Sequence, residues 1–150
     1  VSTDRKNGFI DGMTSVGLNV NVINEYFSAS REESMANMED ALTTYAKIDL
    51  VIATSAQHSL GAYSACDGAK RSEMKIVSMD GEDEEKQMID KENSIFLLTV
   101  TQDPAGMSQT IAQNVADYIF NKATFDQFQS APAGVYCAEG SLTADQVNAK

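Results

Sequence analysis

An acceptor-only carboxylate at Asp80, a permanently charged guanidinium at Arg5, an amide at Gln102 and a hydroxyl at Ser55 are the side chains whose types suggest chemistry, with aromatic rings nearby at Tyr26 and Phe27. Together they suit hydrogen bonding to a neutral polyol. The carboxylate accepts from adjacent hydroxyls, the guanidinium and amide donate, and a ring such as that of Phe27 covers an apolar face. Hydrogen bonds to charged groups contribute about 1.5–3 kcal/mol each. Covalent and metal chemistry find little support. The sequence has no G-x-S-x-G elbow, H-E-x-x-H helix, P-loop or G-x-G-x-x-G turn. Its single histidine, His58, and two distant cysteines, Cys66 and Cys137, build no zinc or redox motif. One carboxylate facing an arginine also lacks the second acid/base group that glycoside hydrolysis needs. The expectation is a binding site with no catalytic residue, no metal and no cofactor.

For these residues to converge, the chain must bring distant segments to one edge. Residues 17–23 alternate Leu18, Val20 and Val22 with Asn19 and Asn21, the period-2 pattern of an edge strand. Residues 48–54, 74–79 and 95–101 are near-continuous apolar runs, as in parallel strands covered on both faces. Between them, Met35, Met38, Leu42 and Tyr45, and again Met107, Ile111, Val115 and Tyr118, recur at helical spacing and predict amphipathic helices on the sheet. Further helices are marked by Phe9, Ile10 and Met13, and by Leu60, Tyr63 and Cys66. Ser30 to Glu33 has the capping-box pattern.

Alternation of this kind predicts an α/β fold: a doubly wound, mostly parallel sheet with helices on both faces. Residues 1–150 read as one domain, with 121–150 an irregular return that includes an extended piece at 135–137 and a helical turn starting at 143–146. In open α/β sheets ligands bind beyond the carboxyl ends of the strands. That rule selects Tyr26, Phe27 and Ser28, then Ser55, Asp80 and Gln102, with Arg5 heading the first helix.

Structural roles compete for some of these positions. Asp80, followed by Gly81 and four acidic residues, fits a helix cap as well as a ligand group, and both readings stay open. Glu82 to Glu85 read as an acidic first turn favourable to the helix dipole. Gln102 stands just before Asp103-Pro104, where a strand ends and a helix begins. His58 belongs to a helix start near the crevice. A Cys66–Cys137 disulfide is permitted, although Cys66 fits an apolar helix face where a free thiol is common.

A formal net charge of −11 repels phosphate backbones and anionic headgroups, so nucleic acid is excluded as a partner and direct membrane insertion is not expected. A phosphoacceptor receiver domain of similar length would want an aspartate ending its middle strand. Here Thr54 and Ser55 end the strand that carries Asp49 near its start.

Several segments resemble the C-terminal lobe of type I periplasmic sugar-binding proteins, the ribose/galactose-binding family of LacI-like periplasmic binding fold. Arg5-Lys6-Asn7-Gly8-Phe9 is similar to that family's R-x-x-G-F, Leu60-Gly61-Ala62 to its L-G-A helix opening, residues 75–81 to its strand ending V-G-[FY]-D-G, and residues 99–104 to its T-x-x-Q-x-P. Order and spacing agree from Arg5 to about Lys122. The resemblance implies that Arg5, Asp80 and Gln102 contact sugar. It further implies the substrate-binding component of an ABC-type sugar importer, periplasmic or extracellular and open to lipoprotein anchoring, which works with an N-terminal lobe and a membrane permease. The effector-binding core of a LacI-type repressor and an extracellular sensor domain share the fold.

Departures are specific. Ser55-Ala56 stands where ribose binders carry Asn-Asp, Met79 replaces the aromatic before the aspartate, and the family's pocket phenylalanine falls near Ala29, two places from Phe27. Pentose specificity is not implied. The resemblance also implies a strand before the R-x-x-G-F helix, where only Val1-Ser2-Thr3 precede Asp4. The expectation is a fragment of a longer protein in which residues 17–23 lack their neighbour.

Overall fold

Capping chemistry and small residues place the first helices. Ser30 Oγ accepts from the Glu33 amide at 3.2 Å, and the Glu33 carboxylate reaches back to the Ala29 amide at 2.7 Å, which opens helix α2 (Arg31–Thr44). Helix α3 (Ala56–Ala69) lies against it through a face of small residues. A Cβ on Gly61 would fall 2.8 Å from Ser34 Cβ and 2.9 Å from the Met35 nitrogen, so only glycine permits this approach. Ser34 Oγ donates to the His58 carbonyl at 2.8 Å across the same contact.

The computed structural model describes residues 2–125, 131, 133–138 and 140–142. Helix α1 (Ser2–Ser15) precedes α2. Strands β1 (Leu50–Ile52), β2 (Lys75–Asp80) and β3 (Phe96–Thr101) alternate with α3 and α4 (Asp83–Ile89), and α5 (Pro104–Asn121) follows β3. Strands β4 (Gly134–Cys137) and β5 (Gly140–Leu142) complete an open sheet of order β1-β2-β3-β4-β5. The β1–β2 and β2–β3 pairs are parallel, whereas β3–β4 and β4–β5 are antiparallel. The fold is thus the expected α/β sheet, with a mixed rather than mostly parallel pairing. The extended piece at 135–137 is the heart of β4, and the helical turn expected at 143–146 lies outside the described residues.

The core sits where α3 and α4 cover the sheet and α2 packs on α3, around Leu60, Met74, Ile76, Ile89 and Phe96, all essentially inaccessible. Cys66 is buried in this cluster, and no bond joins it to Cys137.

Two expectations fail for one physical reason. Residues 18–28 carry no regular structure, so the strand predicted at 17–23 does not form. Among the described residues β1 pairs with β2 alone, and a strand without a neighbour leaves its backbone groups unpaired while its side chains gain no cover. Helix α5 forms but buries none of its residues, with Ile111, Val115 and Tyr118 more than half exposed. Its apolar stripe is real, and the described chain does not cover it. No helix among the described residues is long and apolar enough to cross a membrane.

Candidate ligand-binding crevice

Strand β2 ends in an unusual backbone. Asp80 has φ 108°, which residues with a Cβ rarely adopt, and Gly81 follows at φ 72°. A Cβ at Gly81 would come within 2.6 Å of Thr101 Cγ2, so the turn requires glycine on both counts. From this turn the Asp80 carboxylate gathers groups from three other segments. Oδ2 accepts from the Ala56 amide, at the first residue of α3, at 3.1 Å. Oδ1 accepts from Arg5 Nη1 of α1 at 3.1 Å and from Gln102 Nε2, just past β3, at 2.8 Å. Arg5 Nη1 also donates to the Thr54 carbonyl at 2.8 Å, which fastens α1 to the end of β1.

Arg5, Asp80 and Gln102, far apart in sequence, therefore form one hydrogen-bonded cluster at the carboxyl ends of the strands. Arg5 and Asp80 are only partly exposed, at 27% and 25% of their side-chain surface. This shelters their ion pair more than a surface pair, while leaving it within reach of a solute.

The structure also separates the two readings of Asp80. It does not cap α4, whose N-cap is Glu82 in a reciprocal box with Glu85. It serves the start of α3 instead, where a carboxylate on the Ala56 amide complements the helix dipole. Ser55, the N-cap of α3 and the residue before Ala56, makes no side-chain capping bond, so its hydroxyl is not committed to the helix.

Acceptor capacity limits what Asp80 can do. Each carboxylate oxygen offers about two lone-pair sites. Oδ1 is filled by Arg5 and Gln102, and Oδ2 has one site left beside Ala56. A solute presenting two adjacent hydroxyls to Asp80 must displace one donor from Oδ1. Gln102 is exposed and uncharged, and is the donor that swings away at least cost.

Phe27 is placed differently. Its ring is 85% exposed on the irregular segment after α1, and it is not part of the hydrogen-bonded cluster. Its carbonyl accepts from Asn37 Nδ2 at 3.1 Å, and the next carbonyl, of Ser28, lies 3.1 Å from His58 Nε2. A carbonyl only accepts, so Nε2 carries the proton there. The other ring nitrogen lies 3.3 Å from Thr54 Oγ1. His58 thus ties the segment bearing Tyr26 and Phe27 to the crevice edge.

Sequence reasoning missed Glu85. Read as one of four acids in a first helical turn, it is fully buried. The available signal was the pair of hydroxyl residues, Ser78 and Thr99, each set between apolar neighbours in the middle of a strand. Cys66 is no hidden nucleophile. Burial, and secondarily the charge of Glu73, push its thiol up to about 11 against the opposing pull of Arg71.

Comparison with known proteins agrees with this fold. The pattern of the periplasmic binding protein domain family matches residues 1–123. An ABC transporter solute binding protein from Agrobacterium vitis with bound allitol superposes with a TM-score of 0.75 at 20% identity, over 96% of this chain and 50% of that one. An ABC sugar transporter subunit from Rhodobacter sphaeroides 2.4.1 gives 0.74 at 19% identity, over 90% and 50%. A second Agrobacterium vitis solute binding protein, with bound D-fucose, gives 0.77 at 15% identity, over 90% and 46%. The chain spans about half the length of these structures. No curated protein matches it.

Proposed function

This chain belongs to the periplasmic binding protein domain family, and from that premise we propose that it is one lobe of the substrate-binding component of an ABC-type sugar importer. In this reading a neutral sugar or polyol is held between this crevice and a second lobe, outside the cytoplasmic membrane, and is handed unchanged to a membrane permease. The observation that carries the reading is the Arg5–Asp80–Gln102 cluster: a carboxylate held by a cation, an amide and a helix start, at the edge where an open α/β sheet binds its ligands. Solved structures of the same fold that hold allitol and D-fucose support the ligand class.

Each residue has a role that its chemistry permits. Asp80 accepts from ligand hydroxyls, Arg5 and Gln102 donate, Ser55 offers a short hydroxyl, and Phe27 supplies an apolar surface as the lobes approach. Gln102 exchanges its bond to Asp80 for one to the ligand, so no lone pair on Oδ1 is left unmet. Catalysis has no place in this scheme, since a lone carboxylate paired to an arginine has no second acid/base group opposite it.

Calorimetric titration of the two-lobed protein against neutral monosaccharides and hexitols, D-fucose and allitol among them, tests the proposal. Asp80→Ala is expected to weaken the tightest interaction by at least about tenfold, the worth of one charge-assisted hydrogen bond. Unchanged affinity in that variant would leave Asp80 as the partner of α3 alone and refute the site.

A further inference from the structure

Helix capping does not explain where Glu85 is. A carboxylate at the third helical position can serve the helix start from the surface, as exposed Glu33 does for α2 through the Ala29 amide, whereas Glu85 is wholly inaccessible. Burying a charge is tolerated only when its lone pairs are met, and here they are met in two distinct sets. Oε1 accepts from two core hydroxyls, Ser59 Oγ at 2.7 Å and Ser78 Oγ at 2.5 Å. Oε2 accepts from the backbone amide of Glu82 at 3.0 Å, from Thr99 Oγ1 at 3.1 Å, and from the Gly81 amide at 3.0 Å, which it shares with Thr99 Oγ1 at 3.2 Å. Those two amides lie on either side of Gly81, immediately after Asp80 and its φ of 108°.

We infer that Glu85 is a positioning residue for the crevice. By fixing both peptide planes that follow Asp80, it holds the backbone conformation from which the Asp80 carboxylate reaches Ala56, Arg5 and Gln102. A rarely populated φ persists only where its surroundings over-determine it, and the Oε2 contacts are that constraint. The division of labour follows from the geometry: Oε1 secures the core, and Oε2 secures the site. This inference rests on the reading of Asp80 as the ligand's acceptor.

Four variants of the two-lobed protein test it. Glu85→Leu fills the space and removes both sets of bonds. Glu85→Asp keeps the charge but falls a methylene short of the amides. Glu85→Gln keeps a carbonyl oxygen for the two amides and turns its NH2 toward the Ser59 and Ser78 hydroxyls, which accept as well as donate. Ser78→Ala removes an Oε1 donor only. Each is titrated with D-fucose and allitol well below its unfolding midpoint. The Ala56 amide resonance is followed in parallel, because Ala56 donates to Asp80 and not to Glu85, and so reports Asp80 placement without any sugar.

Glu85→Leu and Glu85→Asp are expected to weaken binding about tenfold to a hundredfold, the range of one lost charge-assisted bond. Both should move the Ala56 amide toward its position in Asp80→Ala. Glu85→Gln should stay within about twofold of wild type. Ser78→Ala should lower the unfolding midpoint while leaving affinity and the Ala56 resonance unchanged. A folded Glu85→Leu or Glu85→Asp variant with wild-type affinity and an unmoved Ala56 amide overturns the inference. If Asp80→Ala binds normally while these variants still move Ala56, the sugar reading fails and the positioning role stands. Should Glu85→Leu not fold, Glu85→Asp against Glu85→Gln carries the same comparison, since the first loses the reach to the two amides and the second keeps it.

Discussion

Helices α2 and α5 both place apolar residues at helical spacing, and bury them to different extents. In α2, Met38 and Ala41 are buried and Leu42 packs against the core, as does Tyr45 at the C-cap, while Met35 is exposed. In α5, Met107, Ile111, Val115 and Tyr118 follow almost the same spacing, and all four are exposed. The difference is the partner. Helix α2 meets the small-residue face of α3, where Gly61 lets the two backbones approach, while nothing among the described residues offers α5 a comparable surface. Periodicity states which face of a helix gains from burial, and only a complementary surface turns that gain into stability.

The sharpest way to break this comparison is to empty the covered side. Phe96→Ala removes a fully buried ring and is expected to cost about 3–5 kcal/mol in denaturant unfolding. A loss near zero would mean that the α2–α3–α4 side is not the stabilising half.

An intermediate effect is expected at Cys66, inside the same cluster, and only in alkali. Its ordinary thiol value is 9.0, and burial raises it to about 11 in the folded chain. Between those two values the unfolded chain has released a proton that the folded chain retains. Stability from this group is therefore intact below about pH 9 and falls as pH rises toward 11. Replacing Cys66 with Ala should flatten that slope in unfolding midpoints measured from pH 8 to about pH 11. An unchanged slope would show that water reaches the thiol.

The smallest effect belongs to α5. Phe120, 79% exposed, should tolerate Ser with a change within about 0.5 kcal/mol. A cost approaching that of Phe96→Ala would show that the α5 stripe is covered in solution, and would erase the contrast between the two helices.

The same logic bears on the candidate crevice. Strand ends are readable because apolar runs stop, and the rule that ligands gather there selects Tyr26, Phe27, Ser28, Ser55, Asp80 and Gln102, with Arg5 at the head of the first helix. The structure joins Arg5, Asp80 and Gln102 directly, places Ser55 at the N-cap of α3, and leaves Phe27 on an exposed segment. Residues 17–23 misled because alternation records two faces of a strand and says nothing about whether a neighbouring strand exists to pair with it.

What the sequence determined by itself is therefore local. It set which runs become helices, which continuous apolar runs become strands, where Ser30 starts a helix, and which polar groups follow those runs. These follow from side-chain periodicity, capping chemistry and turn residues acting over a few positions. Tertiary structure alone decided the rest: that Asp80 serves the start of α3 and not α4, that Glu85 leaves the surface for a nest of hydroxyls and amides, and that α2 is covered while α5 is not. Each of those outcomes depends on groups brought together from distant segments, and the free energy of a hydrogen bond or an apolar contact exists only once its partner is in place.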